Sequence, residues 1–163
     1  MDEILKGLQQ PEYLHAILNH LPVVGLLAGL AVLLFALFQR TRATAIAAYA
    51  VILATALSVY PVSEFGEKAE DGIQSVLDKD GSVWLHEHEE RAEKAAFLFY
   101  LTAIFALAGM ILPIKFPRTI ASLAVATLLC GLIAVSAGVW IASAGGKIRH
   151  KEFRYSPLPQ PGN

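Results

Sequence analysis

Charged residues are missing from four long stretches of this sequence, and that gap sets the fold class. Ile17 to Phe38, Ala43 to Tyr60, Ala95 to Leu112 and Ile120 to Ala144 hold no Asp, Glu, Lys or Arg, and none of them shows a polar stripe. A helix of a soluble bundle keeps such a stripe toward water, so a buried soluble four-helix core is excluded. A hydrocarbon core of roughly 30 Å takes about 20 apolar residues per helix. The second and third stretches fall a little short but continue helix-compatible past their apolar part. Composition agrees: 55% of the 163 residues are hydrophobic and mean hydropathy is +0.52, against about 45–50% apolar residues in a soluble domain.

Further absences narrow the function. Cys130 is the single cysteine, so no intramolecular disulfide can form, and inside the fourth stretch it reads as a small packing residue. The start, Met1-Asp2-Glu3-Ile4-Leu5-Lys6, is acidic rather than basic, and the first apolar run is too long for a signal core, so no cleavable signal is expected. There is no nucleophile–base pair, phosphate loop or nucleic-acid face; the expected partner is the bilayer, and no nucleic acid. No span is broken at mid-membrane, which leaves a transporter without a central site. Acids are missing from the two turns that hold Arg40, Arg42, Lys115 and Arg118, while all 14 acidic residues lie on the opposite side. Basic density in short loops marks the cytoplasmic face, so both termini and residues 62–84 are expected outside.

In chain order, residues 1–13 read as an amphipathic lead-in with Leu5, Leu8 and Tyr13 at the interface, and Pro11 suits the first turn of a helix. Pro22 takes the helical donor from the Leu18 carbonyl and predicts a kink near the start of the first span. Pro61 marks the end of the second span. Glu64 to Leu77 reads as a short amphipathic helix with Phe65, Ala69, Ile73 and Val76 inward. Asp80-Gly81 is a turn signal, and the third helix is expected from an N-cap at Ser82 to Leu112. Small residues at spacings of four mark three close-packing seams: Gly25/Gly29; Ala43, Ala47, Ala50 and Ala54; and Ala134, Gly138, Ala142 and Gly146. The expected fold is all-α: an integral membrane four-helix up-down bundle, helix 3 extending beyond the membrane, with a short amphipathic helix between spans 2 and 3. Residues 1–154 form one four-span domain, and 155–163 an extended Pro-rich tail.

All five histidines fall on the outer side, in three segments, and a fourth segment there, Glu64 to Asp71, adds carboxylates. His20 sits about one turn inside the boundary beside Asn19 and Pro22; intramembrane ionisable groups are costly and usually functional. His88 stands with Glu89 near Arg91, where a solvated face is the ordinary reading. Glu67 and Glu70 share a helix face, a weak signal. His150 follows Gly145-Gly146 in a cationic stretch suited to lipid headgroups. His15 and His86 read as interfacial or solvated. Imidazole with carboxylate suits Zn, Cu or Fe, and bundles build such sites from facing helices. The expected metal ligands are therefore His20, Glu67, His88, Glu89 and His150, with Arg149 and Arg91 balancing charge and Asn19 orienting His20. Counting at about 1.5 Å per residue puts His20 roughly 10–13 Å deeper than His88. His15 is closer in depth to His88, so a haem held between two histidines across an apolar slot favours His15 with His88, and Trp84, Phe97, Phe99 or Tyr100 as lining.

Four pieces, His15-xxxx-His20-x-Pro22, Gly66-Glu67-x-Ala69-Glu70, His88-Glu89-xx-Ala92 and Gly145-Gly146-x-Ile148-Arg149-His150-x-Glu152, resemble the recurring motifs of uncharacterised four-helix bacterial membrane proteins, catalogued as domain of unknown function 2231 and relatives. The resemblance spans roughly residues 14–154. Phe65, where a small hydroxyl residue is expected before Gly-Glu, and the extra His86 depart from the pattern. The resemblance implies the fold, a bacterial inner-membrane location, and attention to His20, Glu67, His88, Glu89, Arg149 and His150. Fusion of some relatives to cytochrome c or Rieske-like modules implies a redox protein partner. Three readings stand: a non-haem transition-metal site in a redox or sensing role, a haem b electron-transfer subunit, and a structural membrane subunit in which the histidines and acids only tie helices together.

Overall fold

The computed structural model describes residues 2–159, with side chains from Ile4 onward; the end of the tail, from 160, lies outside the described residues. The elements are α1 (Asp2–Gly7), α2 (Pro11–Leu18), a π-helical turn (Leu21–Gly25), α3 (Leu26–Gln39), α4 (Arg42–Leu57), α5 (Val59–Gln74), α6 (Lys79–Lys115) and α7 (Ile120–Arg149). Short 3-10 turns at Pro117–Thr119 and Lys151–Phe153 flank α7. Among the described residues there is no strand. The four long apolar rods, Pro11–Gln39, Arg42–Gln74, Lys79–Lys115 and Pro117–Arg149, are each long enough to cross a membrane, and the short turns between them make neighbours antiparallel. The chain is a multi-pass four-helix membrane bundle.

Proline positions explain the breaks. Pro11 opens α2 in its first turn. Pro22 is buried in the π-helical turn that replaces the α-ladder between α2 and α3, the expected response to a missing donor. Pro61 does not end the second rod. The break comes earlier, at Ser58, whose hydroxyl donates to the Thr55 carbonyl at 2.6 Å; the helix resumes at Val59 with Pro61 in its first turn, where a missing N–H costs least. The predicted separate helix at 64–77 is thus the end of a continuing rod. Ala69 is buried and Phe65 and Ile73 half-buried, but Val76 is exposed. The third helix starts before Ser82: the Asp78 carboxylate accepts from the Gly81 N–H at 2.8 Å and caps α6.

The seams are partly as expected. Gly25 lies against Thr55 and Gly29 against Ile52, joining α3 to α4; Gly138 lies against Val23, and Ala134 is buried. The alanine seam is a correction: Ala43, Ala47, Ala50 and Ala54 are exposed, and the buried face of α4 is Ala48, Tyr49, Ile52 and Ala56. Ala142 is exposed as well. Close approach requires a hole on one helix and a knob on the other. Tyr49 and Ile52 are knobs, received by Gly109 and Gly29.

Candidate functional site

At the histidine-bearing end, the outer end in the expected orientation, the bundle divides into two helix pairs. α2 runs along α5, and α6 along α7, whereas α5 meets α6 only sparsely. One histidine comes from each pair. The His15 Nδ1–H donates to the Val62 carbonyl of α5 at 2.9 Å. The His88 Nδ1–H donates to the Ile141 carbonyl of α7 at 3.0 Å. A carbonyl can only accept, so Nδ1 carries a proton in both rings, and in a neutral imidazole so bonded Nε2 keeps its lone pair. The two ring centroids are 6.4 Å apart, with planes at 86°.

Each ring is also backed by a glycine. A Cβ on Gly66 would lie 3.1 Å from Nδ1 and Cε1 of His15, and one on Gly145 would lie 3.1 Å from the same atoms of His88. The glycines let each neighbouring helix come against the imidazole that bonds to it. Four of the motif segments therefore meet here, through Gly66, His15, His88 and Gly145.

The other expected ligands do not join them. His20 is exposed at the start of the π-helical turn, and Asn19 is exposed at the end of α2, with no side-chain hydrogen bond to His20. His150 is exposed; its Nδ1 is 3.0 Å from Glu152 and its ring stacks on Phe153. Glu67 is exposed beside Gly66, and Glu89 is half-buried. His86 pairs with Glu90 on the surface of α6. Arg91 is committed to Glu87 at 2.7 Å and to the Trp140 carbonyl at 2.8 Å, with its guanidinium over the Trp140 ring; Arg149 is exposed. Among the described residues no group of three or more His, Cys, Asp and Glu side chains could hold a metal ion. α2 brings His15, and not His20, beside His88. Of the aromatic candidates, Trp84 and Phe99 are buried, while Phe97 and Tyr100 are exposed.

A contact that sequence reading missed closes the outer end. Arg154 grips Asp78 with two bonds of 3.0 Å and also donates to the Lys147 and Ile148 carbonyls. Lys151 adds an ion pair to Asp78 at 2.9 Å. These cations and the Gly81 N–H hold the Asp78 carboxyl well below the usual carboxylate range. No family model, curated protein or solved structure matches the chain.

Proposed function

We propose that this protein is a membrane haem b protein in which His15 and His88 would hold the haem iron, and that its role is electron transfer. The observation that carries the reading is the pair itself: two imidazoles from opposite helix pairs, both with Nδ1 bonded and Nε2 free, at a centroid separation of 6.4 Å. A metal–imidazole bond is about 2.0–2.1 Å, and a ring adds roughly 1 Å on each side. Two imidazoles on opposite sides of one ion then have centroids about 6–6.5 Å apart, and two in a tetrahedral site about 5 Å. The observed spacing fits the first arrangement. Haem iron also takes only two protein ligands, which is the number this end of the bundle offers. A bound haem would supply one-electron chemistry.

The chain's own residues would fix the geometry. The Val62 and Ile141 carbonyls set the tautomer, orient each ring and raise ligand basicity, as a second shell does. Gly66 and Gly145 leave the imidazoles room beside the neighbouring backbones. A non-haem transition-metal site would have to start from the same two rings and recruit ligands that lie elsewhere. The structural reading, in which the two histidines only tie helices together, is favoured by the same bonds to Val62 and Ile141.

The outer end is proposed to face away from the cytoplasm in the bacterial inner membrane, where a redox protein partner could reach it; the acid-free basic turns support that orientation, and the motif resemblance supports the location. The deciding experiment is an absorption spectrum of protein purified from haem-replete cells, alongside His15→Ala and His88→Ala. The expected result is a low-spin two-histidine spectrum in the parent that each variant loses. A folded parent with no haem absorption leaves the structural reading.

A further inference from the structure

Trp84 is only 2% exposed, and its indole Nε1–H has no hydrogen-bond partner, the one such buried side-chain atom among the described residues. An unpaired buried donor costs about 1–3 kcal/mol and calls for an explanation. Trp84 and His88 are both on α6, four residues apart, so they share a helix face, with Trp84 about 6 Å farther outward. The Lys147 ammonium of α7 lies 4.1 Å from the centre of the Trp84 ring; among the described residues its one side-chain bond is 2.9 Å to the Ser156 hydroxyl, and an ammonium has three donors. One turn outward of His88 there is thus an orphaned donor with a cation against it.

We infer that Trp84 and Lys147 form a carboxylate-binding group one turn outward of the His15–His88 pair, Trp84 donating its Nε1–H to an acid group of the bound molecule and Lys147 supplying the balancing charge. Resting on the haem b reading, the acid group would be a haem propionate. Both alternatives for the orphaned donor, a water molecule or no partner at all, predict no dependence on the occupant's acid groups.

The test is a titration of the full-length protein in detergent with haem b and with haem dimethyl ester, whose two acids are blocked. The parent is expected to bind haem b about ten- to hundredfold more tightly than the ester, the range of one bond to a charged group. Trp84→Phe is expected to erase most of that preference, and a two-histidine spectrum with the ester shows that the variant is folded. Lys147→Gln is expected to reduce the preference less and to weaken its salt dependence. A parent that binds both compounds equally, or a Trp84→Phe variant that keeps the full preference, overturns this inference and leaves the haem reading standing. A parent that gives a two-histidine spectrum with neither compound overturns both.

Discussion

In the membrane-level half of the bundle, glycines receive aliphatic and aromatic knobs: Thr55 at Gly25, Ile52 at Gly29, Tyr49 at Gly109, Leu30 at Gly131 and Val23 at Gly138. At the outer end the same device receives imidazoles, His15 at Gly66 and His88 at Gly145. The difference lies in what the knob does after it is seated. In lipid, the gain is close backbone approach and dispersion, and most of the knobs of the inner half offer nothing else. The outer knobs cross to a carbonyl of the helix that receives them or of its continuation, and still keep a free nitrogen. In the first half the glycines serve close packing, and in the second they seat two imidazoles in fixed orientation.

Orientation gives the largest expected effect, because it is all-or-none. With the outer end outside, a C-terminal alkaline phosphatase fusion is expected to be active and a cytoplasmic fluorescent reporter at the same point dark. The reverse pattern would exchange the two ends and place the histidine pair in the cytoplasm.

Next comes Gly138→Leu. A Cβ there would lie 2.6 Å from Cγ2 of Val23 and 3.4 Å from Phe99, and the β-branched Val23 cannot rotate away freely. Overpacking of this kind costs about 1–3 kcal/mol or more. Leu132 is half exposed toward lipid, so Leu132→Ala is expected to cost well under that. Thermal midpoints in detergent compare them; a Gly138→Leu midpoint equal to the parent's would remove the inner half of the contrast.

Gly145→Ala probes the outer half and is expected to cost less. Its Cβ meets the His88 ring at 3.1 Å, a contact that a shift of the imidazole can relieve at about 0.5–1.5 kcal/mol of off-rotamer strain. The sharper readout is the ring itself: the His88 imidazole resonance is expected to move in Gly145→Ala and stay in place in Gly138→Leu. Unmoved His88 signals in both would mean that Gly145 does not hold the ring.

Much of the inner half was legible in the sequence, because charge-free runs, prolines and glycines act locally. Even there the face of α4 was misread. In lipid every side of an alanine-rich helix is apolar, and only the partner's glycines, Gly29 and Gly109, decide that Ile52 and Tyr49 turn inward. The outer end was legible as a level rather than as a contact list. Residue counting matched His15 to His88 and set His20 apart, but the Val62 and Ile141 carbonyls that fix the rings are backbone atoms and leave no trace in composition. Glu67 and His150 carry the right residue types, yet their placement depends on how rods project beyond the membrane. Nothing in the local sequence singles out Arg154; its role follows only from the return of the chain to the start of α6.

That return gives the last and smallest prediction. Asp78 links the start of α6 to the segment after α7 through Arg154 and Lys151, outside the apolar spans and about one-third exposed to solvent. Its folded carboxyl titrates below the ordinary value, which is about 3.9 in an unfolded chain. The sign follows from linkage: a group whose pKa falls on folding binds more protons when unfolded, so stability rises with pH through that region. The clasp is fully formed above about pH 4 and weakens as pH falls below that toward the folded value. Solvent screening keeps the effect small. Asp78→Asn removes both the ion pairs and the titration, so the parent is expected to melt slightly above the variant at pH 7, with the gap narrowing below about pH 4. Other carboxylates titrate in both proteins and cancel in the difference. A gap that stays constant from pH 7 to pH 3 would show that the difference comes from uncharged hydrogen bonding or packing at this position, and that the ion pairs contribute nothing measurable.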